Sequence, residues 1–268
     1  MKLVSKLIIT GQIEALTGLH IGGSKSSMDI GGVDLNVIKN HNGIPFIPGS
    51  SLKGKLRSLL ARIEGSMAVS PDRRGRANNV KTDQDVPYIQ SIFGMAGDET
   101  DDNADQEISR LIVRDALLIA EESPNQDEFD EMDFQFTDVK FENTIDRKKG
   151  VAQHPRQLER VPPGAQFTFE MIFDIYSKDE ENTYESEEQE ELKNEVERTA
   201  RDHYLYALGI AMELLQDDYL GGQGTRGYGK VAFRNVEVKQ KRMTNYRYAL
   251  ADLDDELNAF ADQLKALS

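Results

Sequence analysis

The chain opens on an alternation of apolar and polar positions. Ile8, Thr10, Gln12 and Glu14 alternate with Ile9, Gly11, Ile13 and Ala15, and the tract closes on Leu19-His20-Ile21. Residues 3–21 therefore read as one long strand, or two strands broken at Thr17-Gly18. A loop rich in Gly, Ser and Asp over 22–36 leads to a short strand at Val37–Lys39. Leu52, Leu56, Leu59, Leu60 and Ile63 then share one helical face and predict a helix over 50–64. Pro48-Gly49 makes the turn into it, and Ser50 or Ser51 supplies the N-cap hydroxyl. Tyr88–Phe93 predicts a short helix closed by Gly94, and the apolar run Leu111–Ala120 predicts a central strand. Phe167, Phe169, Met171, Phe173 and Ile175 alternate with mostly polar residues, which makes 166–176 a strand. Tyr204, Leu208, Ala211 and Leu215 lie along one side of a helix over 192–217. Residues 230–239 form a final strand, and Leu250, Leu253, Leu257, Phe260 and Leu264 space as a C-terminal amphipathic helix. Two stretches resist assignment. Residues 67–85 are polar and read as a mobile insertion. Residues 137–167 hold a strand at Val139–Phe141 that leads into a basic excursion, ended by Pro162-Pro163-Gly164.

The strong elements run strand, helix, strand, strand, helix, strand. That is the order of an α+β, ferredoxin-like (RRM-like) core. The aromatic signature that RRMs place on their central strands is missing, so RNA contact would fall to loops and helix ends. One domain over 1–240 is expected, with insertions at about 65–108 and 137–165, an acidic linker at about 178–193, and a helical extension over 241–268.

Charge changes this picture less than its sum suggests. The 268 residues carry a net charge of −15, which argues against nucleic acid. Yet six acids fall within 97–107, six within 121–131 and eight within 179–191, with no Lys or Arg in any of the three. These acids outnumber the net excess, so the rest of the chain is mildly basic and a basic groove is permitted. There is no Cys, which excludes disulfides and thiolate metal sites. The N-terminal apolar run is too short for a signal peptide, and nothing approaches the length of a membrane span. A cytoplasmic protein without membrane partners is expected.

Three stretches carry candidate chemistry. At the start of the 50–64 helix, Ser50, Ser51, Lys53, Lys55 and Arg57 surround a helix N-terminus, where amides and cations suit a phosphate. Equally, they suit the solvated face of an ordinary amphipathic helix. Residues 219–230 hold five glycines between 221 and 229, interleaved with Arg226, Tyr228 and Lys230. This composition favours close backbone approach to a ligand over a floppy turn. Arg147, Lys148, Lys149, Arg156 and Arg160 concentrate in the basic excursion, either as a charged loop or as an arm on nucleic-acid backbone. Two nucleotide-binding motifs are excluded. Gly49–Lys55 spells G-x-x-x-x-G-K, but Leu56 stands where a magnesium-binding hydroxyl belongs. Gly222–Gly227 spells G-x-G-x-x-G, but a helix precedes it and a strand follows, the reverse of a dinucleotide fold. On spacing alone, Asp29 and Asp34 are turn-forming residues, and His20 is a structural histidine at a strand end.

The segments LTGLHIGG, IGGVD, IPGSSLKGKLRSLL, KFENTIDR, HPRQLERVPPG and YLGGQGTRGYGKV occur in order from residue 16 to 232. Together they resemble the RAMP-superfamily backbone subunit of type III-A CRISPR effector complexes. Asp34-Leu35-Asn36 departs from the proline-containing form of that loop. The resemblance implies that copies stack as a filament on a guide (CRISPR) RNA, beside other subunits of the effector complex. The filament would pair the guide with single-stranded target RNA and act as an endonuclease at regular intervals. The 65–108 insertion becomes a lid and the 137–165 excursion a thumb wedged into the guide–target duplex, presenting Arg147, Lys148 and Arg156. Ser50, Ser51, Lys53 and Arg57, with Gly222, Gly224 and Arg226, would hold guide backbone. His20 would support the loop or touch RNA. Asp34 would be the cleavage residue and the ligand of a divalent metal, Mg2+ or Mn2+. A lone carboxylate suits magnesium, which keeps most of its waters. Two alternatives stay open: a non-catalytic RNA-binding subunit, and a metal-independent guide-processing RAMP ribonuclease working through His20.

Overall fold

A computed structural model describes residues 2–23, 33–65, 68–70, 79–81, 87–94, 108–119, 136–146, 148–181, 199–244 and 247–268. The predicted alternation produces the three longest strands, β1 (Leu3–Ala15), β9 (Gln166–Tyr176) and β10 (Val231–Thr244). β1 lies between the other two and is antiparallel to both, from Glu14 opposite Gln166 and from Ala15 opposite Val231. The short strands β5 (Leu111–Val113) and β6 (Ala116–Leu118) both pair with β9, and β2 (Phe46–Ile47) adds to β6. Counted by their role in the core, the strands stand in the order fourth, first, third, second. That is the ferredoxin-like arrangement, and the fold is α+β as expected.

One face of the sheet is dry. Leu7, Ile9 and Ile13 of β1 and Phe167, Met171 and Phe173 of β9 are fully buried there. They meet Leu52, Leu56 and Leu60 of α1 (Gly49–Ile63) and Leu208, Ala211 and Leu215 of α4 (Ala200–Asp217). Each fully buried Leu, Ile or Phe contributes about 1.5–3 kcal/mol. The short α2 (Pro87–Phe93) packs beside α1 and α4, as its predicted span implies. α4 starts at the Thr199 N-cap, shorter than predicted, and 192–198 lie outside the described residues. Behind this layer, Arg110 forms a two-pronged ion pair with Asp179 of α3 (Ser177–Glu181), at 2.7 and 2.9 Å with both side chains buried.

Several expectations need correction. The N-cap of α1 is Pro48, not Ser50 or Ser51, and it offers no side-chain bond. Instead the Gly49 amide donates to Asp115 Oδ1 at 2.8 Å. Asp115 is exposed and stands with Arg114 between β5 and β6, so the apolar run over 111–118 is two strands and not one. Nor is the run buried on both faces, since Ile112 and Leu117 are 42% and 55% exposed. β10 continues to Thr244 and turns back as β11 (Arg247–Ala251), so the segment after 240 is not wholly helical. Leu250 lies on β11, Leu253 packs half-buried against the core ahead of the helix, and Leu257, Phe260 and Leu264 enter the core through α5 (Asp255–Lys265). Within 67–85, β3 (Ala68–Ser70) and β4 (Asn79–Lys81) pair with each other, while most of the lid segment and acidic linker lies outside the described residues. Residues 137–167, read as irregular, form a long hairpin of β7 (Asp138–Ile145) and β8 (Ala152–Arg160).

Candidate nucleic-acid interface

The hairpin is anchored at its base by a buried carboxylate. Glu159 accepts from Thr137 Oγ1 at 2.6 Å and from the Val37 amide at 2.9 Å, and its carboxylate lies 2.5 Å from Lys39 Nζ. Burial alone would raise its pKa. The bonds from Lys39, Thr137 and Val37 outweigh that and hold the carboxyl below its ordinary value. Glu159 thus ties the 33–39 loop to the hairpin. The loop also runs alongside β8 through a parallel bridge between Leu35 and Leu158. At the end of this short pairing, Asp34 is exposed and its Oδ2 accepts from the Gln157 amide at 3.0 Å. Oδ1 accepts no hydrogen bond among the described residues. Asp29, its rival in the same loop, lies outside them.

His20 is buried, with Nδ1 2.7 Å from the Glu159 carbonyl, and its own carbonyl accepts from the Gly222 amide at 2.8 Å. It therefore joins the hairpin base to the glycine turn and supports both. The glycines serve the turn itself. Gly221 has φ +81°, and a Cβ there would lie 2.3 Å from the His20 carbonyl oxygen. A Cβ on Gly224 would strike the Tyr219 ring at 2.0 Å. The amides of Gly222, Gly227 and Gly229 donate to His20, Gly224 and Gly18, so they are not held open for a ligand. Arg226 is exposed and donates to Gln223 Oε1 at 2.7 Å. Tyr228 closes the turn on the hairpin. Its hydroxyl donates to Glu142 at 2.9 Å, while Lys140 and Arg160 stand 4.7 and 5.7 Å from its ring centre. Burial and the Glu142 contact push the phenol up to about 12.

The α1 end of the interface is more occupied than its sequence implies. Lys53 Nζ donates to Ser109 Oγ at 2.8 Å and to the Leu111 carbonyl at 2.7 Å, which uses two of its three protons. Burial, with Arg57 nearby, lowers its pKa. Arg57 is half-buried and engaged within the molecule, Ser51 is half-buried, and Ser50 is exposed. Lys55 lies over the Tyr219 ring at 3.9 Å and pairs with Asp218 at 3.3 Å, joining α1 to the glycine turn. On the hairpin, Lys148 and Arg156 are exposed, and Arg147 lies outside the described residues.

Asp34, His20, the hairpin and the glycine turn are therefore one connected unit, while Ser50 and Lys53 stand apart from it on α1. Sequence reasoning missed Glu159 and Asp115. Glu159 sits inside the charged run QLERV and Asp115 inside an apolar one, so neither pattern marks them. Among the described residues no three His, Asp or Glu side chains gather as a metal cage. The open oxygen of Asp34 fits a hydrated cation that takes its other ligands from phosphate and water.

Residues 12–232 match the RAMP superfamily. The CRISPR system Cms endoribonuclease Csm3 of Methanocaldococcus jannaschii is 39% identical over 89% of this chain and 82% of the relative. The protein of the same name from Streptococcus thermophilus is 40% identical over 87% and 90%, and that from Mycobacterium tuberculosis 35% over 88% and 89%. The crystal structure of the Csm3-Csm4 subcomplex in the type III-A CRISPR-Cas interference complex superposes with a TM-score of 0.50. It has 27% identity and covers 100% of this chain and 99% of that one.

Proposed function

The chain belongs to the RAMP superfamily, and from that premise we propose that it is the guide-RNA-binding backbone subunit of a type III CRISPR effector complex and cleaves the target RNA paired with the guide. Its relatives bear the name of that endoribonuclease, and the similar solved chain comes from such a complex. Its partners are guide RNA, target RNA, further copies of itself and the other subunits of the complex, in the cytoplasm. No helix among the described residues is long and apolar enough to cross a membrane.

The observation that carries the cleavage assignment is the placement of Asp34. It is exposed, and its carboxylate is fixed at 3.0 Å by a backbone amide of the hairpin. A carboxylate held this way meets a phosphate at a set distance from the element that enters the duplex. RNA cleaves when a 2′-hydroxyl attacks the adjacent phosphorus. A 2′-O–P bond forms, the P–O5′ bond breaks, the hydroxyl proton passes to water, and a proton returns to the departing 5′ oxygen. The chain's part is to hold the strand in line and to anchor charge neutralisation at the phosphate. A divalent ion on Asp34, Mg2+ or Mn2+, would supply that neutralisation. Exposed Lys148, Arg156 and Arg226 would add to it along the backbone. His20 is poorly placed for metal-independent chemistry, since it is buried and engaged with Glu159.

The test is Asp34→Ala in the reconstituted complex. Single-turnover target cleavage should fall about a hundredfold or more, with guide content, particle size and target affinity unchanged. Cutting at the normal spacing by this variant would remove Asp34 from the site. A wild-type complex that binds target and never cuts with any divalent ion would favour a purely structural subunit.

A further inference from the structure

One end of the sheet carries a basic tract inside an acidic chain. Residues 238–251 hold Lys239, Lys241, Arg242 and Arg247 and no Asp or Glu, although the net charge is −15. The tract is the end of β10 and all of β11, paired from Gln240 opposite Ala251 to Thr244 opposite Arg247. Gln240 is buried and its side chain donates to Ser5 Oγ at 3.2 Å on the core side. By alternation Lys241 and Met243, with their partners Leu250 and Tyr248, share the opposite face. Met243, Tyr248 and Leu250 are 45%, 44% and 68% exposed there.

The cations of this arm are weakly compensated. Lys241 and Arg247 make no ion pair among the described residues. Lys241 stands in register with Lys6 of β1, and like charges set opposite each other are destabilising. Lys6 has a partner in Asp174, but Lys241 has only the Tyr248 ring, 5.7 Å from its Nζ to the ring centre. Lys239 pairs with Glu237 at 2.8 Å and Arg242 with Glu180 at 3.6 Å, both at the surface, where such pairs are worth little. An anion laid on this face therefore meets four cations and displaces only weak bonds.

The arm is far from the site already described. The Leu16 amide bonds the Lys230 carbonyl and Leu19 bridges Val161, so the glycine turn and the hairpin base stand at the Val231 end of β10. Met243 lies roughly 35–40 Å along the strand from Val231. Five residue pairs on two strands offer a face on the order of 200 Å², well short of the about 800 Å² that each side of a stable protein interface buries. Such a face does suffice for one stacked base and the phosphates beside it.

We propose that the β10–β11 arm is a second RNA-binding surface, which takes unpaired RNA outside the guide–target duplex. Tyr248 stacks on a base, Met243 and Leu250 flank it, and Lys241, Arg242 and Arg247 meet the phosphates. Stacking on an exposed ring accepts any base, and the cations make the contact salt-dependent. This site goes beyond the cleavage assigned to Asp34 and does not depend on it.

The experiment uses the guide-loaded complex saturated with target, so that the guide–target groove is filled, and titrates it with a labelled oligouridylate that cannot pair with the guide. Tyr248→Ala should weaken this probe about tenfold, and Tyr248→Phe should restore it. Lys241→Gln with Arg247→Gln should lower the slope of log affinity against log salt by about 1.4. Guide content, particle size and target cleavage should be unchanged in all of them. Probe affinity and salt slope equal to wild type in the combined variant would overturn the proposal. Loss of particle size in Tyr248→Ala would overturn it too and make the arm a contact between subunits. Oligoglutamate bound as tightly as the probe, with no effect of Tyr248→Ala on either, would make it a dock for acidic protein instead. Failure of the guide-binding proposal is read separately, as particles without guide RNA before the probe is added.

Discussion

Replacing Glu159 by Ala tests whether one buried carboxylate holds the loop to the hairpin. Thr137 is fully buried and Val37 nearly so, and both donate to Glu159, at 2.6 and 2.9 Å. Truncation leaves two buried donors without an acceptor, at about 1–3 kcal/mol each. Lys39 is a quarter exposed and returns to water, so its loss adds little. We expect Glu159→Ala to lose about 2–5 kcal/mol, read as a lower urea midpoint at constant slope. Adding Thr137→Val removes one orphaned donor, so the double variant should be more stable than Glu159→Ala alone by about 1 kcal/mol. That sign is the sharp part: a double variant less stable than the single one would refute the hydrogen-bond account. pH supplies a second arm. The folded pKa of Glu159 lies below its ordinary value of 4.5. Its contribution is present above the unfolded pKa and is lost as pH falls through the folded one. Wild type should therefore lose more stability than Glu159→Gln on acidification below about pH 4.5, measured by thermal unfolding. Parallel pH profiles would remove Glu159 from the account. Freed from the hairpin, the loop no longer fixes Asp34, so cleavage by Glu159→Ala should fall while guide content holds.

Two further outcomes follow from buried geometry. Asp179→Ala removes the buried carboxylate that meets the Arg110 guanidinium in two prongs and should cost about 3–5 kcal/mol, whereas exposed Arg114 pairs with Glu170 at the surface and Glu170→Ala should cost under about 1 kcal/mol; equal losses in denaturant unfolding would contradict this. In the glycine turn, Gly221→Ala drives a Cβ to 2.3 Å from the His20 carbonyl, while Gly227, also at positive φ, faces open space. Gly227→Ala should cost about 1–2 kcal/mol of backbone strain and leave assembly intact, while Gly221→Ala should lose more stability and reduce RNA retention on purification.

The core was legible because its strands and helices each bury one face. Period-two apolar residues in β1 and β9 and the leucine spacing of α1 report that burial directly. The hairpin was not legible for the opposite reason. Its faces are held by Glu159, Arg160, Asp138, Lys140 and Glu142, and charged residues in sequence read as solvated whether or not a partner waits across the fold. Glu159 finds its acceptor role with Thr137 and Val37, which lie 22 and 122 residues away. No local pattern encodes that. Asp34 stood out through the family resemblance, since an Asp after glycines is otherwise a turn residue.

The glycine run and the start of α1 show a subtler gap, with a consequence for RNA binding. Both were read as sources of open amides for phosphate. A glycine admits close approach, but its sequence does not say whether a ligand or another part of the chain approaches. Here it is the chain: His20, Leu220 and Tyr219 occupy the space beside Gly221, Gly229 and Gly224. Asp115 likewise takes the Gly49 amide, and a carboxylate at that point opposes a phosphate there. On the proposed function, phosphate contacts on this surface would therefore fall to side chains that remain exposed, Arg226, Lys148 and Arg156 among them. Cations on side chains release counterions when they bind, whereas neutral amides do not. A surface built this way would grip RNA with a steep salt dependence and without regard to sequence, which would leave recognition to base pairing with the guide.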